Sequence, residues 1–165
     1  METLSRKGNV IEVKGDLIKI AKQGKVDIIV HGCNCFATMG AGIALHIANA
    51  FPKAKIADKS WGAAPKDRLG NFTYAKVKVA DDKDLIIINA YTQYHPGPDF
   101  RQGALMDCLE KIKNEYGKPI DSTEKKLIAF PKIGCGIGGG NWESTKHIIE
   151  LMLEENFIVM FVYFD

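Results

Sequence analysis

The fold of this chain is decided by residues 31–44, whose sequence is HGCNCFATMGAGIA. The apolar run VDIIV directly before this stretch predicts a buried strand, and a helical repeat of apolar residues begins at Ile43. Asn34 comes at the tip of that strand, and Gly40 and Gly42 allow the backbone to approach a ligand closely. Because the first N–H groups of a helix lack intrahelical partners and carry the positive end of its dipole, they attract anions such as phosphate. The stretch therefore predicts one half of a phosphate-binding cleft.

Length and composition indicate an ordinary globular domain. With 165 residues, the chain is expected to form a single domain, residues 1–165, that buries roughly 70 % of its unfolded surface. Hydrophobic residues make up 46 % and charged residues 25 % of the chain, values that argue against a disordered or membrane-embedded protein. The net charge of +2 is too small to predict a nucleic-acid partner, so DNA is not expected, but it is compatible with an anionic small molecule.

The cellular location is predicted from the same composition. No apolar run reaches the roughly 18 residues that a membrane span requires, and residues 1–8 are too polar for a signal peptide. We therefore expect a cytoplasmic protein that has no membrane partner. In that reducing compartment the cysteines are expected to be free thiols, and they are Cys33, Cys35, Cys108 and Cys135.

Strand and helix patterns alternate along the chain. The predicted strands are at residues 10–13, 26–30, 72–79, 85–88, 127–130 and 157–164. The predicted helices are at residues 17–23, 43–51 with an extension to 59, 105–116, and after the N-cap Asn141, while residues 61–70 and 91–99 are predicted loops. The strands at 72–79 and 85–88 should pair as a hairpin. This order predicts an α/β domain with helices on both faces of a largely parallel sheet.

A second glycine-rich stretch follows the buried strand 127–130. Five of the seven residues from Gly134 to Gly140 are glycines, and a helix is predicted directly after them. Since ligands of such sheets bind beyond the carboxyl ends of the strands, both glycine loops should meet at one edge of the sheet.

A dinucleotide-binding Rossmann fold is an alternative for this second loop. Gly134, Gly136 and Gly139 satisfy the G-x-G-x-x-G pattern, and Asp165 ends the strand that follows. The pattern should open a βαβαβ half, however, and only one strand follows before the chain stops. The position of the motif therefore argues against this fold.

Two cysteine-based sites also have to be considered. A cysteine phosphatase would need an arginine six positions after its nucleophile, which Cys33, Cys35 and Cys135 all lack, so Cys135 is interpreted as a packed thiol. A zinc site through His31 and these cysteines conflicts with the usual ligand spacing, because one residue only separates Cys33 from Cys35. No metal and no cofactor are predicted.

Three polar residues are candidates for chemistry at the cleft. His31 titrates near neutrality and is a candidate base or hydrogen-bond donor to phosphate. The alternative is a histidine at the end of its strand whose hydrogen bonds are made within the protein. Asn34 offers donors and an acceptor for sugar hydroxyls and a water molecule. Asp16 is either a helix N-cap or an acceptor for the exocyclic amine of a base such as adenine. Trp61 and Phe100 could stack on a base, but core packing is the preferred interpretation of either one alone.

These residues resemble a macrodomain. The resemblance lies in KGDL at residues 14–17, in HGCNC and MGAGIA at residues 31–35 and 39–44, and in PKIGCG at residues 131–136 with Trp142. Within the family the chain resembles the branch of the yeast ADP-ribose 1''-phosphate phosphatase and the terminal ADP-ribose protein glycohydrolase. The resemblance implies a three-layer α-β-α fold with a mixed, largely parallel sheet of six strands.

The resemblance also implies where ADP-ribose would bind. Asp16 would lie at the adenine and Asn34 by the distal ribose. The residues implied around the diphosphate are Gly40, Ala41, Gly42 and Ile43 of the first loop, and Gly134, Cys135, Gly136, Ile137, Gly138 and Gly139 of the second. Leu17 and Ile133 are further expected ligand-binding residues.

The same comparison indicates which chemistry to expect. The lysine and aspartate of the glycohydrolase are replaced here by Asn49 or Ala50 and by Gly138, which argues against its reaction. We therefore predict hydrolysis of ADP-ribose 1''-phosphate, with His31 and Asn34 as the catalytic residues. The alternatives are a binding module for ADP-ribose or an ADP-ribosylated protein, and a hydrolase for ADP-ribosyl esters or O-acyl-ADP-ribose.

Overall fold

The computed structural model describes residues 1–164, which form a mixed sheet of seven strands with helices on both faces. The strands are β1 (Glu2–Lys7), β2 (Val10–Lys14), β3 (Ile28–Cys33), β4 (Phe72–Lys78), β5 (Asp84–Tyr91), β6 (Leu127–Phe130) and β7 (Ile158–Tyr163). The α-helices are α1 (Leu17–Lys22), α2 (Gly42–Ala50), α3 (Pro52–Ser60), α4 (Pro65–Arg68), α5 (Gln102–Tyr116) and α6 (Trp142–Leu153). Asp165, on which the Rossmann alternative depends, lies outside the described residues.

The strand order across the sheet is β1-β2-β7-β6-β3-β5-β4. The five inner strands run parallel, while β1 and β4 pair antiparallel with β2 and β5 at the two edges. This confirms the predicted α/β class, the largely parallel sheet and the hairpin of β4 and β5. Residues 80–82 form the short 3₁₀ turn between those two strands.

The sheet has one strand more than the six that were expected in the described part of the chain. The additional strand is β1, whose residues are exposed apart from the partly buried Ser5. An exposed edge strand needs no alternation of apolar and polar residues, because its main-chain hydrogen bonds to β2 hold it. Its sequence, ETLSRK, therefore carries no strand pattern.

A second difference lies in residues 61–70, which were expected to be a loop throughout. They contain the single helical turn α4.

Two apolar cores lie on opposite faces of the sheet. The first core packs α1, α2 and α3 against one face, and the second packs α5 and α6 against the other. Successive residues of β3 serve both cores, since Ile29 and Cys33 point to the first and Ile28 and Val30 to the second. An inner strand buried on both faces has to be apolar almost throughout, which explains the unbroken apolar runs in the sequence. No helix within residues 1–164 is long and apolar enough to cross a membrane.

Arg68 holds the segment between α3 and β4 in place. Its guanidinium donates to the carbonyl oxygens of Ala63 (3.3 Å), Asp58 (3.0 Å) and Trp61 (2.5 Å). The guanidinium carbon also lies 5.2 Å from the centroid of a Trp61 ring, within the range of a cation–π contact. Trp61 packs beside the first core, as the packing alternative predicts.

Candidate functional site

A cavity of about 600 Å³ opens at the carboxyl ends of β3 and β6. These two strands are parallel neighbours, with Ile28 opposite Ile128 and Ile29 opposite Ala129. The loop after β3, residues 34–41, and the loop after β6, residues 131–141, therefore leave the sheet side by side. We call them the first loop and the second loop. The prediction that the two glycine loops meet at one edge of the sheet is confirmed.

Both loops supply most of the cavity wall. The lining residues of the first loop and the start of α2 are Asn34, Thr38, Met39, Gly40, Ala41, Gly42, Ile43 and Ala44. Those of the second loop are Pro131, Lys132, Ile133, Gly134, Cys135, Gly136, Ile137 and Gly138. The remaining wall consists of Gly32, Cys33, Asp58, Gln93, Pro96 and Gly97. Of the residues expected at the ligand, Asp16, Leu17, His31 and Gly139 are outside this set.

The first loop is shaped by the side chain of Asn34. Its Oδ1 accepts from the backbone N–H of Phe36 (2.8 Å), and its Nδ2 donates to Oγ1 of Thr38 (2.7 Å). The loop then passes into α2 at Gly42, where φ is +58°. The N-cap residue Ala41 provides no side-chain hydrogen bond, so the first amides of α2 depend on another acceptor.

The second loop is shaped by the ring of Phe100. A Cβ atom at Gly134 would lie 2.1 Å from Cδ1 of Phe100, and one at Gly140 would lie 2.5 Å from Cδ2. The backbone N–H of Gly140 donates to the carbonyl of Gly134 at 2.7 Å, which closes the loop around this ring. Gly134 and Gly140 are thus required for packing, whereas nothing lies within 4 Å of a Cβ at Gly136. Phe100 packs beside the second core, as expected from its interpretation as a packing residue.

Cys135 of the second loop is unsuited to be a nucleophile. Its Sγ donates to the carbonyl of Ile133 (3.3 Å) and lies 3.6 Å from Oγ1 of Thr145. Burial raises the pKa of this thiol above its ordinary value, so it stays protonated at neutral pH. Burial also raises the pKa of Cys35, to about 11, and that of Cys33. The interpretation of Cys135 as a packed thiol agrees with this environment.

His31 lies beneath the cavity and does not form part of its wall. Its ring is fully buried, and Nε2 donates to Oδ1 of Asn89 at 2.6 Å. Cys33 lies 3.7 Å from both ring nitrogens. Burial lowers the pKa of His31 to about 4, against the weaker opposing effect of the hydrogen bond to Asn89, so the ring is neutral near pH 7. The expected place of His31 in the cleft is therefore corrected: it is not among the residues of the cavity wall, and strand alternation turns its side chain to the side of Ile29 and Cys33.

Asp16 and Leu17 lie outside the wall of the main cavity. Asp16 is the N-cap of α1, and its Oδ1 accepts from the backbone N–H groups of Ile18 (3.0 Å) and Lys19 (3.3 Å). Leu17 is buried in the first core. The N–H of Gly15 donates to the carbonyl of Tyr163 at 2.8 Å, which places Asp16 near the end of β7. Its exposed carboxylate is therefore a capping group and remains accessible from solvent.

A shallower hollow of about 590 Å³ adjoins the main cavity at this end of β7. The residues common to both walls are Ile43, Pro131 and Lys132. The other lining residues are Trp142, Glu143, Val162, Tyr163 and Phe164. The hollow therefore combines aromatic surface with one wall that it shares with the two loops.

Gly139 is not among the residues of the cavity wall. It is exposed, its φ is +77°, and a Cβ there would lie 3.3 Å from Cβ of Pro98. Its role is to turn the backbone toward α6. It is thus a structural residue of the second loop and not part of the lining.

Several lining residues were not predicted from the sequence, above all Asp58 and Gln93. Asp58 belongs to a lysine-rich helix that looks like a solvent-exposed one. Its spacing of four residues from the buried Ala54 places both on the inner face of α3, and this is the signal that could have identified it. Gln93 donates from Nε2 to the carbonyls of His95 (2.7 Å) and Gly97 (2.8 Å), and no local sequence pattern reveals those bonds.

The protein is thus an α/β domain with a largely parallel sheet between two layers of helices. Two glycine loops surround a cavity at the ends of adjacent strands. The family model for the Macro domain matches residues 30–149, and the chain belongs to this family. The resemblance of its motifs to a macrodomain is thereby confirmed.

Known proteins resemble the chain over most of its length. It is 40 % identical over 141 residues to an uncharacterized 17.5 kDa protein of Enterobacteria phage T4, covering 84 % of this chain and 86 % of that protein. It is 27 % identical over 144 residues to the ADP-ribose 1''-phosphate phosphatase of Candida albicans, covering 84 % and 90 % of the two chains. The solved macrodomain of Thermus aquaticus DarG has the same fold, with a TM-score of 0.70 at 24 % identity, over 94 % of this chain and 97 % of that one.

The packing of Phe100 generates a prediction for the second loop. Gly134→Ala should lower the free energy of unfolding by about 2 to 4 kcal/mol, because alanine is strained at φ +74° and its Cβ displaces the ring. Gly136→Ala is the matched control, and we expect it to change that free energy by less than about 1 kcal/mol. Urea denaturation followed by tryptophan fluorescence measures both. Equal stability of the two variants would show that Phe100 does not shape the loop.

Proposed function

We propose that this macrodomain binds ADP-ribose and hydrolyses ADP-ribose 1''-phosphate to ADP-ribose and phosphate. The observation that carries the proposal is the cavity between the two loops, together with the aromatic hollow that shares Ile43, Pro131 and Lys132 with it. A ligand with two ends joined by a charged linker fits such a pair of spaces. The Candida albicans relative, an ADP-ribose 1''-phosphate phosphatase by name, supports the choice of substrate.

The diphosphate would lie between the two loops. The amides at the start of α2 can donate to phosphate oxygens, and the dipole of this nine-residue helix favours an anion there. Gly136 leaves space for a close approach of the ligand from the opposite side. Lys132 adds a positive charge where the main cavity meets the hollow.

The adenosine would occupy the aromatic hollow. Trp142 and Tyr163 line it, with Nε1 of Trp142 donating to the hydroxyl of Tyr163 at 3.3 Å. Asp16 lies near the end of β7, so its carboxylate could accept from the exocyclic amine of adenine while still capping α1. The adenine role of Asp16 is thus compatible with its capping role.

The distal ribose and its phosphate would lie at the opposite end, by Asn34. The Asn34 side chain is fixed by Thr38 and by the N–H of Phe36, so its position is set before a ligand arrives. It would hold a ribose hydroxyl and the attacking water. Loop amides would stabilise the charge that develops on the phosphate during attack.

A binding module without turnover is the second candidate. It is favoured by the buried position of His31, which removes the predicted histidine from the cavity. The residues at the positions of the glycohydrolase lysine and aspartate also provide no amine or carboxylate to the cavity. Asn49 and Ala50 are outside its wall, and Gly138 has no side chain. An ADP-ribosylated protein would be the partner of such a module. Hydrolysis of ADP-ribosyl esters or O-acyl-ADP-ribose needs the same cavity and remains a prediction.

We also infer that the protein works in the cytoplasm. Within residues 1–164, Cys33, Cys35, Cys108 and Cys135 are all free. Free thiols are typical of a reducing compartment.

Phosphate release from ADP-ribose 1''-phosphate tests the proposed reaction. The wild-type protein should release phosphate, and Asn34→Ala should lower kcat at least about tenfold, because a positioning contact is lost. Asn49→Ala, at an exposed position of α2, is the control and should retain wild-type kcat. ADP-ribose binding without phosphate release by the wild type would favour the binding module. A parallel assay with ADP-ribosyl esters and O-acyl-ADP-ribose identifies the third alternative.

The adenine role of Asp16 predicts a selective loss of affinity. Asp16→Ser keeps a side-chain oxygen for the N-cap but removes the carboxylate, so we expect ADP-ribose affinity to fall about tenfold while thermal stability is retained. The analogue with hypoxanthine in place of adenine lacks the exocyclic amine, and its affinity should be nearly the same for both proteins. Isothermal titration calorimetry gives the four dissociation constants. Equal losses of affinity for the two ligands would refute the proposed contact between Asp16 and the exocyclic amine.

A further inference from the structure

Asp58 is a buried carboxylate in the inner wall of the cavity. It lies on the inward face of α3, and its side chain is 0 % exposed. It borders the same cavity as Cys33 and Asn34. Among the residues that the structure describes, it is the single carboxylate of that wall.

The two oxygens of this carboxylate have different surroundings. Oδ1 accepts from the hydroxyl of Tyr91 at 2.6 Å and from Nη1 of Arg68 at 3.3 Å. Oδ2 is buried and has no hydrogen-bond partner within residues 1–164. Buried polar atoms are almost always paired, so an orphaned carboxylate oxygen beside a cavity indicates a position for a donor that comes from the cavity.

Arg68 and Tyr91 also fix the orientation of the carboxylate. Arg68 is held by three carbonyl oxygens of the segment from Asp58 to Ala63. The hydroxyl of Tyr91 additionally lies 2.9 Å from Oγ1 of Thr73. Because Oδ1 is held on two sides, the carboxylate cannot rotate without breaking these bonds.

We propose that Asp58 is a further catalytic residue, whose Oδ2 binds the attacking water and accepts its proton. This inference rests on the proposed function. The water oxygen forms a bond to phosphorus as the bond from phosphorus to O1'' of the ribose breaks. Because O1'' leaves on the side of phosphorus opposite the water, it takes up a proton from solvent, and Asp58 releases its proton to solvent. The products are inorganic phosphate and ADP-ribose, and the carboxylate is regenerated.

The surroundings of Asp58 suit a base. Burial raises the pKa of Asp58, and the hydrogen bond from Tyr91 and the charges of Arg68 and Lys59 oppose that rise. A base with a raised pKa takes up a proton more readily, and the Arg68 cation beside Asp58 favours the ionised form that can accept one. The titratable and charged groups that face it are Arg68 of α4, Tyr91 of β5, Cys33 of β3, Cys35 of the first loop and Lys59 of its own helix.

The substitution Asp58→Asn tests this role. Asparagine keeps the shape and an oxygen for Tyr91 but cannot accept the proton, so kcat for phosphate release should fall at least about 100-fold. The dissociation constant for ADP-ribose, which carries no phosphate to be attacked, should change less than about threefold. Asp67→Asn, at an exposed carboxylate of α4, is the matched control and should retain wild-type kcat.

The pH profile separates a base from a merely structural residue. In the wild type, kcat should fall as the pH falls through the pKa of Asp58, because the protonated carboxyl cannot accept a proton. Tyr91→Phe removes a hydrogen bond that lowers this pKa, so the acidic limb should move to higher pH. This second variant also provides the test if Asp58→Asn does not fold.

Each remaining outcome overturns part of the account. If the wild type binds ADP-ribose but releases no phosphate, the proposed reaction fails, and the role of Asp58 fails with it. If the wild type releases phosphate and Asp58→Asn keeps more than a third of its kcat, the role of Asp58 alone is refuted. An acidic limb that is unmoved in Tyr91→Phe also refutes it, since the titrating group would then lie elsewhere.

Discussion

The parallel pairing of β3 with β6 is the constraint on which this site depends. Two neighbouring parallel strands end at the same edge of the sheet, so the chain leaves that edge twice within one strand spacing. Each segment then enters a helix, α2 or α6, whose first amides lack intrahelical partners. The sheet thus brings backbone donors of both segments to one edge, beside Lys132 of the cavity wall. A cavity built in this way favours a ligand whose recognised part is an extended anion.

The cavity keeps its shape because its loops pack against fixed groups. Phe100 lies against Gly134 and Gly140 of the second loop, and Asn34 is bound to Thr38 and to the N–H of Phe36 in the first. The loop glycines therefore differ in what requires them. Gly134 and Gly140 serve the protein's own packing, whereas Gly136 has open space in front of it.

A buried polar network reaches the cavity wall at Asp58. His31 is joined through Asn89 and Thr73 to Tyr91, and Tyr91 is joined to Asp58 and Arg68. A chain of this kind is costly in an interior unless its members are satisfied, and here Oδ2 of Asp58 is the member that lacks a partner. The network thus fixes side chains beneath the cavity and leaves one acceptor at its wall.

The order of elements could be predicted from the sequence, because inner strands buried on two faces are apolar throughout and glycine loops follow them. The edge strand β1 could not, since its exposed residues carry no pattern. The direction of His31 could have been inferred from strand alternation, which places it on the same side as Ile29 and Cys33. The ring of Phe100 against Gly134 and the approach of Asp58 to Tyr91 join residues more than 30 positions apart, and one sequence without its fold does not reveal them.

The central claim is that both loops hold one diphosphate through their backbone amides. A titration of the ¹⁵N-labelled protein with ADP-ribose, followed by two-dimensional NMR, tests this claim most directly. We predict that the largest amide shifts occur together in residues 40–44 and 133–138 and saturate with a single dissociation constant. Shifts confined to one loop, or shifts elsewhere with both loops unchanged, would contradict the account.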